Sequence, residues 1–123
     1  MTGVQTCALP ISGGIVAGAI ERGEVRLYRF PGPDKQRPVV VLTRDSAIAY
    51  LSAVTVAPIT STIRGVPSEV LLTERDGMKG ICAINLHNVV TVSKTHLGRR
   101  VAMLGPERLS EICAALGFAF GCA

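Results

Sequence analysis

A chain of 123 residues fits one domain, and at that size folding hides only about two-thirds of the surface the unfolded chain exposes, so the core must be compact. Apolar residues make up 48 % of it against 4 % aromatic and no Trp, which leaves Val, Ile, Leu and Ala to fill that core and suits short strands. Thirteen Lys plus Arg against nine Asp plus Glu give +4, and ten of the thirteen are Arg; this admits a polyanionic partner, while the lack of a Gly-rich phosphate loop or βαβ pattern excludes the nucleotide-binding α/β folds.

Residues 1–21 differ from the rest of the chain. Residues 1–20 carry no charged side chain, and the run from Met1 to Ser12 (MTGVQTCALPIS) looks like a translated sequencing-adaptor scar. Residues 1–21 are therefore expected to be a non-native or disordered tail, with no function for Cys7. The four cysteines (Cys7, Cys82, Cys113, Cys122) show no C-x-x-C pair, so reduced thiols are expected rather than a zinc site or a disulfide framework. No apolar run approaches the roughly 18 residues of a membrane span, and the head of the chain lacks the basic region of a secretory signal. The expectation is a cytoplasmic protein with no membrane association.

From Arg22 the pattern changes to short strands. Residues 24–30 (EVRLYRF) alternate, with Val25 and Leu27 on one face and Tyr28 and Phe30 on the other. Pro31, Gly32 and Pro33 end that strand, and a polar loop leads to residues 38–43 (PVVVLT), whose Pro occupies the first position, where a missing N–H is tolerated. Residues 53–59, 69–73 and 81–86 read as three more, residues 89–93 are ambiguous, and residues 99–103 are a small further candidate. Pro106 and Glu107 mark a helix start and Gly117 its C-terminal cap. Between them Leu109, Ile112, Cys113 and Leu116 recur at helical spacing. The expected fold is β-rich (α+β): a half-open barrel of five to six short strands closed by one C-terminal helix.

No Ser/His/Asp set, carboxylate cluster or metal-ligand spacing is evident, so no metal and no cofactor is expected. The polar residues at strand ends are Arg37 before one strand, Thr60 and Ser61 after another, and Asn85, His87 and Asn88 at the end of a third. Loops held by a rigid sheet are where sites concentrate. Of the neighbours Arg99 and Arg100, alternation lets only one face a shared groove, leaving the other as a solvated rim charge, and the same holds for Arg26 and Arg29. Of the few aromatics Phe30, at a strand end beside the Arg37 loop, is the best placed to stack on a planar ligand, with a core role equally open.

These positions also carry a resemblance. Arg22-Gly23-Glu24-Val25, Gln36-Arg37-Pro38-Val39-Val40-Val41, Val54-Thr55-Val56-Ala57-Pro58-Ile59-Thr60-Ser61, Ala83-Ile84-Asn85-Leu86 leading to Thr91-Val92-Ser93-Lys94, and Leu97-Gly98-Arg99-Arg100 resemble, in order and spacing, the MazF/PemK/Kid family of toxin endoribonucleases. The resemblance spans residues 22–123. It implies an SH3-like barrel, a homodimer, a cognate antitoxin with an acidic extended tail, and metal-independent, sequence-selective cleavage of single-stranded RNA to 2′,3′-cyclic phosphate and 5′-hydroxyl ends. It assigns catalysis to Arg37 and Thr60. Gln36, Ser61, Asn85, Asn88 and Phe30 become the candidate RNA-binding residues.

The chemistry fits those residue types. Attack by the RNA's own 2′-oxygen needs no protein nucleophile; it needs proton transfer at two oxygens and positive charge for the phosphorane. One departure stands out: many relatives carry Asp where this chain has His87, so His87 is the substitute base, or a partly exposed residue that shapes base recognition or has no role. Two alternatives stay open. One is a weakened relative that binds RNA and antitoxin without cutting; the other is a CcdB-type gyrase-binding toxin on the same barrel, whose terminal Trp this chain lacks. Specificity is expected in the loops at residues 31–37 and 63–68.

Overall fold

The computed structural model describes residues 20–31 and 36–122. The expected tail up to residue 19, with Cys7, and the middle of the 31–37 loop lie outside the described residues. Strands β1 (Glu24–Arg29) and β2 (Gln36–Val41) are followed by a short helix α1 (Asp45–Ile48), then β3 (Ala53–Thr60), β4 (Glu69–Leu72), β5 (Cys82–Asn85), β6 (Val90–Ser93), β7 (Arg100–Met103) and the helix α2 (Pro106–Phe120). Seven strands form one antiparallel sheet in the order β4-β5-β3-β2-β1-β7, with β6 also on β3. Both of the uncertain strands are therefore present, one more than the upper expectation.

β3 explains the curl. Its first half, Ala53 to Val56, pairs with β6, and its last two residues, Ile59 and Thr60, pair with β5. Pro58, which has no N–H to donate, stands where the ladder passes from one partner to the other. On its opposite edge β3 stays paired with β2 throughout Val56 to Pro58. A strand that changes partners along one edge coils the sheet into a half-open barrel.

Two cores result. The first lies between the sheet and α2 and contains Val25, Val40, Ala57, Ile59, Leu72, Ile84, Leu86 and Ile112; the second contains Val39, Val41, Ile48, Val54, Val56 and Val92, with Tyr28, Phe30 and Leu97 at its rim. Successive residues of a strand point to opposite faces, so Val40 enters one core and its neighbours Val39 and Val41 the other. That two-sided burial is why β2 reads as an unbroken β-branched run. Ile20 is buried in the second core, so packed chain extends back to that residue.

α2 departs from expectation in two respects. It begins at Pro106 as expected but runs past Gly117 to Phe120, where Gly121 takes the left-handed cap at φ 73°. A glycine inside a helix costs only about 1 kcal/mol relative to alanine, and the better cap lies one turn on. Its buried face carries Ile112 and Ala115, with Leu109 and Leu116 partly buried, whereas Cys113 is exposed. Among the described residues no helix is long and apolar enough to cross a membrane.

Candidate active site

Arg37 sits at the start of β2, opposite Tyr28 of β1, with Pro38 opposite Leu27. The ring of a proline excludes the helical region for the residue before it, so Pro38 holds Arg37 extended and exposed at the strand mouth. Thr60 ends β3. Its hydroxyl oxygen accepts the N–H of Thr62 at 3.1 Å, closing the turn and leaving the hydroxyl proton to donate outward.

These two residues, from adjacent strands, meet in an open cleft of about 950 Å³. Leu27, Pro38, Ile59, Cys82 and Val101 supply its apolar lining, and Ser61 and Thr62 continue from Thr60. A further stretch of wall is the turn from Gly77 to Ile81. Thr73 caps the 3₁₀ turn Glu74–Asp76 with a reciprocal capping box, and Gly77 follows at φ 91°. A Cβ there would lie 3.0 Å from that of Ala102, so glycine lets the wall close against β7. All charge on the lining is positive, from Arg37, Lys79 and Arg99, with neither a carboxylate nor a histidine among the lining residues.

The wall is fixed to α2. Arg108 donates to both carboxylate oxygens of Asp76, at 3.1 and 3.3 Å, and to Glu111 at 3.0 Å. Burial alone would raise the Asp76 carboxyl, but the Arg108 hydrogen bonds, the Thr73 N–H and the Arg108 charge outweigh it and hold it below its ordinary value. Burial, with the Asp76 charge, pushes the Cys82 thiol up. The thiol is thereby kept protonated, so Cys82 lines the cleft as an apolar group.

A buried ion-pair network holds the other side. Glu24 is 1 % exposed and Arg26 8 %. Glu24 accepts from Arg26 Nε at 2.8 Å, from Arg26 Nη2 at 3.3 Å and from Arg100 Nη1 at 3.3 Å. Arg26 Nη1 also reaches the Gly98 carbonyl at 3.0 Å. Arg26 is thus no solvated rim charge: Glu24, two residues back on the same face of the strand, draws it inward. The alternation argument for the 99–100 pair is met, since Arg99 lines the cleft while Arg100 turns to Glu24.

The remaining candidates lie elsewhere. Gln36 is exposed beside Arg37, outside the cleft lining. Phe30 packs edge-on to Tyr28, ring centres 4.8 Å apart, at the rim of the second core. Asn85, His87 and Asn88 gather at the turn between β5 and β6. There the exposed His87 ring has Nδ1 2.6 Å from the hydroxyl of buried Ser68, and the Asn88 N–H donates to the Asn85 carbonyl at 3.4 Å. The Asn85 side-chain oxygen is buried without a hydrogen-bond partner among the described residues. Sequence reasoning missed Lys79 and the Glu24–Arg26 network. A lone cation between two glycines in an inter-strand turn, and an acid two residues before a base on one strand, were the available signals.

Comparison with known proteins agrees with the geometry. A family model described as PemK-like, MazF-like toxin of type II toxin-antitoxin system matches residues 21–120. A curated relative, "Probable endoribonuclease MazF2" of Mycobacterium tuberculosis, is 39 % identical over 104 residues, covering 84 % of this chain and 100 % of the relative. Among solved structures, the Mycobacterium tuberculosis toxin MazF-mt6 superposes with a TM-score of 0.74 at 32 % identity, covering 81 % of this chain and 98 % of that one. A mycobacterial endoribonuclease in complex with its cognate antitoxin superposes with a TM-score of 0.77 at 25 % identity over 85 % of this chain and 98 % of that one. The chain therefore belongs to the PemK-like, MazF-like toxin family of type II toxin–antitoxin systems.

Proposed function

We infer that this chain is an endoribonuclease toxin that cuts single-stranded RNA within the cleft lined by the start of β2 and the end of β3, without a metal. The observation that carries the reading is the convergence of Arg37 and Thr60 in one cleft whose charge is all positive; the endoribonuclease names of relatives 37–46 % identical support it.

In this reaction the 2′-oxygen attacks phosphorus as its proton leaves, the P–O5′ bond breaks, and the departing 5′-oxygen takes up a proton. The products are a 2′,3′-cyclic phosphate and a 5′-hydroxyl. Arg37 supplies charge and paired N–H donors to the phosphorane, and the free proton of the Thr60 hydroxyl adds one more donor. Ser61 binds beside them. Gln36, exposed beside Arg37, belongs to recognition at the cleft mouth, and Asn85, Asn88 and Phe30, which lie outside the cleft lining, to recognition of RNA that extends beyond it. His87 is held by Ser68 at a turn beyond it, which favours base recognition over proton transfer for the imidazole.

A cytoplasmic location follows from an RNA substrate. A cognate antitoxin with an acidic extended tail fits the positive cleft, in keeping with the antitoxin complex of a solved relative, and the working form is a homodimer. The test is incubation of purified protein with mixed-sequence RNA in excess EDTA, followed by analysis of fragment ends. Cyclic phosphate and 5′-hydroxyl ends are expected; intact RNA, or 5′-phosphate ends, would refute the reading.

A further inference from the structure

Two cations of the cleft have no part in the chemistry above. Lys79 stands on the wall between Gly77 and Gly80, and Arg99 lies on the approach to β7 beside Val101. Both are exposed, and neither enters an ion pair among the described residues. Among the described residues no carboxylate lines the cleft, and two that flank it are committed elsewhere, Glu24 to Arg26 and Arg100 and Asp76 to Arg108. Positive charge on two separate segments of one cleft, with no acid among the described lining residues, suits a polymer that carries a negative charge on every unit.

The backbone under each cation is fixed while its side chain is not. The capping box and the Arg108 bond anchor the chain just before Gly77. On the other segment, the Gly98 N–H donates to the Leu27 carbonyl at 2.7 Å and the Leu27 N–H to the Arg99 carbonyl at 3.2 Å. A Cβ on Gly98 would lie 3.1 Å from that Leu27 oxygen, so glycine keeps the two strands close and Arg99 beside the cleft.

We propose that Lys79 and Arg99 are backbone clamps, binding phosphates that flank the scissile phosphate of single-stranded RNA. This rests on the function proposed above and adds to it the residues that set affinity. Phosphate contacts position a chain but carry no sequence information. The clamps therefore act on all RNA words alike, and they stabilise ground state and transition state equally, which appears in KM and not in kcat.

The experiment compares wild type, Lys79→Ala, Arg99→Ala and the double variant by two readouts in EDTA. One is steady-state cleavage, and the other is anisotropy of a labelled mixed-sequence single-stranded RNA with 2′-O-methyl riboses, which leave no 2′-hydroxyl to attack, between 50 and 200 mM salt. Each phosphate contact contributes about 0.7 to the slope of log affinity against log salt on single strands. Each single variant is expected to flatten that slope by about 0.7 and the double by about 1.4. KM rises roughly tenfold per clamp, with kcat and cleavage pattern unchanged. Arg99→Lys, which keeps the charge, retains the wild-type slope. An unchanged slope in the double variant overturns the proposal, and so does a fall in kcat at constant KM. If wild type binds RNA but does not cut it, the endoribonuclease reading fails while the slopes still decide the clamps; if it does not bind RNA, both fail.

Discussion

Replacing Glu24 with Leu removes the anion from a buried pair and strands its cation. Arg26 is 8 % exposed, and it would keep only the Gly98 carbonyl, at 3.0 Å, as acceptor. Removing one partner of a buried ion pair costs about 3–5 kcal/mol. The retained carbonyl bond places this case at the lower end, and loss of the Arg100 contact, whose cation is 52 % exposed, adds under about 1 kcal/mol. For a domain of about 100 residues each kcal/mol lowers the melting temperature by roughly 4–8 °C, so a fall of roughly 12–24 °C is expected for Glu24→Leu. Adding Arg26→Met removes the stranded charge. What then remains is an unpaired Gly98 carbonyl and the Glu21 N–H that now bonds Glu24 at 2.9 Å, together about 1–3 kcal/mol. Thermal unfolding followed by far-UV circular dichroism at pH 7 measures both variants. A single variant within 4 °C of wild type, or a double variant less stable than the single, would refute the reasoning.

Three further outcomes are expected. Asp76 is held below its ordinary value of 3.8, so its contribution is fully present above that pH and is lost as pH falls through the lower folded value; the melting-temperature gap between wild type and Asp76→Asn should be constant from about pH 5 to 7 and shrink below pH 3.8, and a gap that widens in acid would refute the pairing. His87→Ala is expected to keep the wild-type kcat at saturating RNA while altering the cleavage pattern; a large fall in kcat would make the imidazole the base. A chain shortened to begin at Ile20 behind an added Met is expected to melt with the full-length chain, and removal of Ile20 as well to lower the midpoint, because Ile20 is 8 % exposed in the second core.

The strands were legible because their apolar residues recur with period two, and β2 was legible because Val39, Val40 and Val41 are all buried. α2 was legible at Pro106 but not at its end, because two glycines compete for the cap and local signals do not rank them. Ordered motifs brought Arg37, Thr60 and Ser61 together, and the cleft lining contains all three. Nothing local separates His87 from them: Thr60 lies opposite Ala83, and β5 then runs back along β3 and away from the cleft before it reaches His87, a register with no short-range signature. Lys79 had a local signal, a lone cation between Gly77 and Gly80, but nothing local says that its turn lines the cleft. The turn is held in place by contacts distant in sequence, among them the bond from Asp76 to Arg108, thirty-two residues along the chain.

The central claim is that Arg37 carries the chemistry of a metal-free cleavage. Its most direct test is the single-turnover rate on a cleavable single-stranded RNA in EDTA, for wild type and for Arg37→Ala matched in fold by circular dichroism. Losing a preorganised donor to a developing oxyanion costs about 10²- to 10³-fold, so the account predicts robust wild-type cleavage and a variant slower by that factor at an unchanged melting temperature. Equal rates for the two proteins, or wild-type cleavage abolished by EDTA, would contradict it.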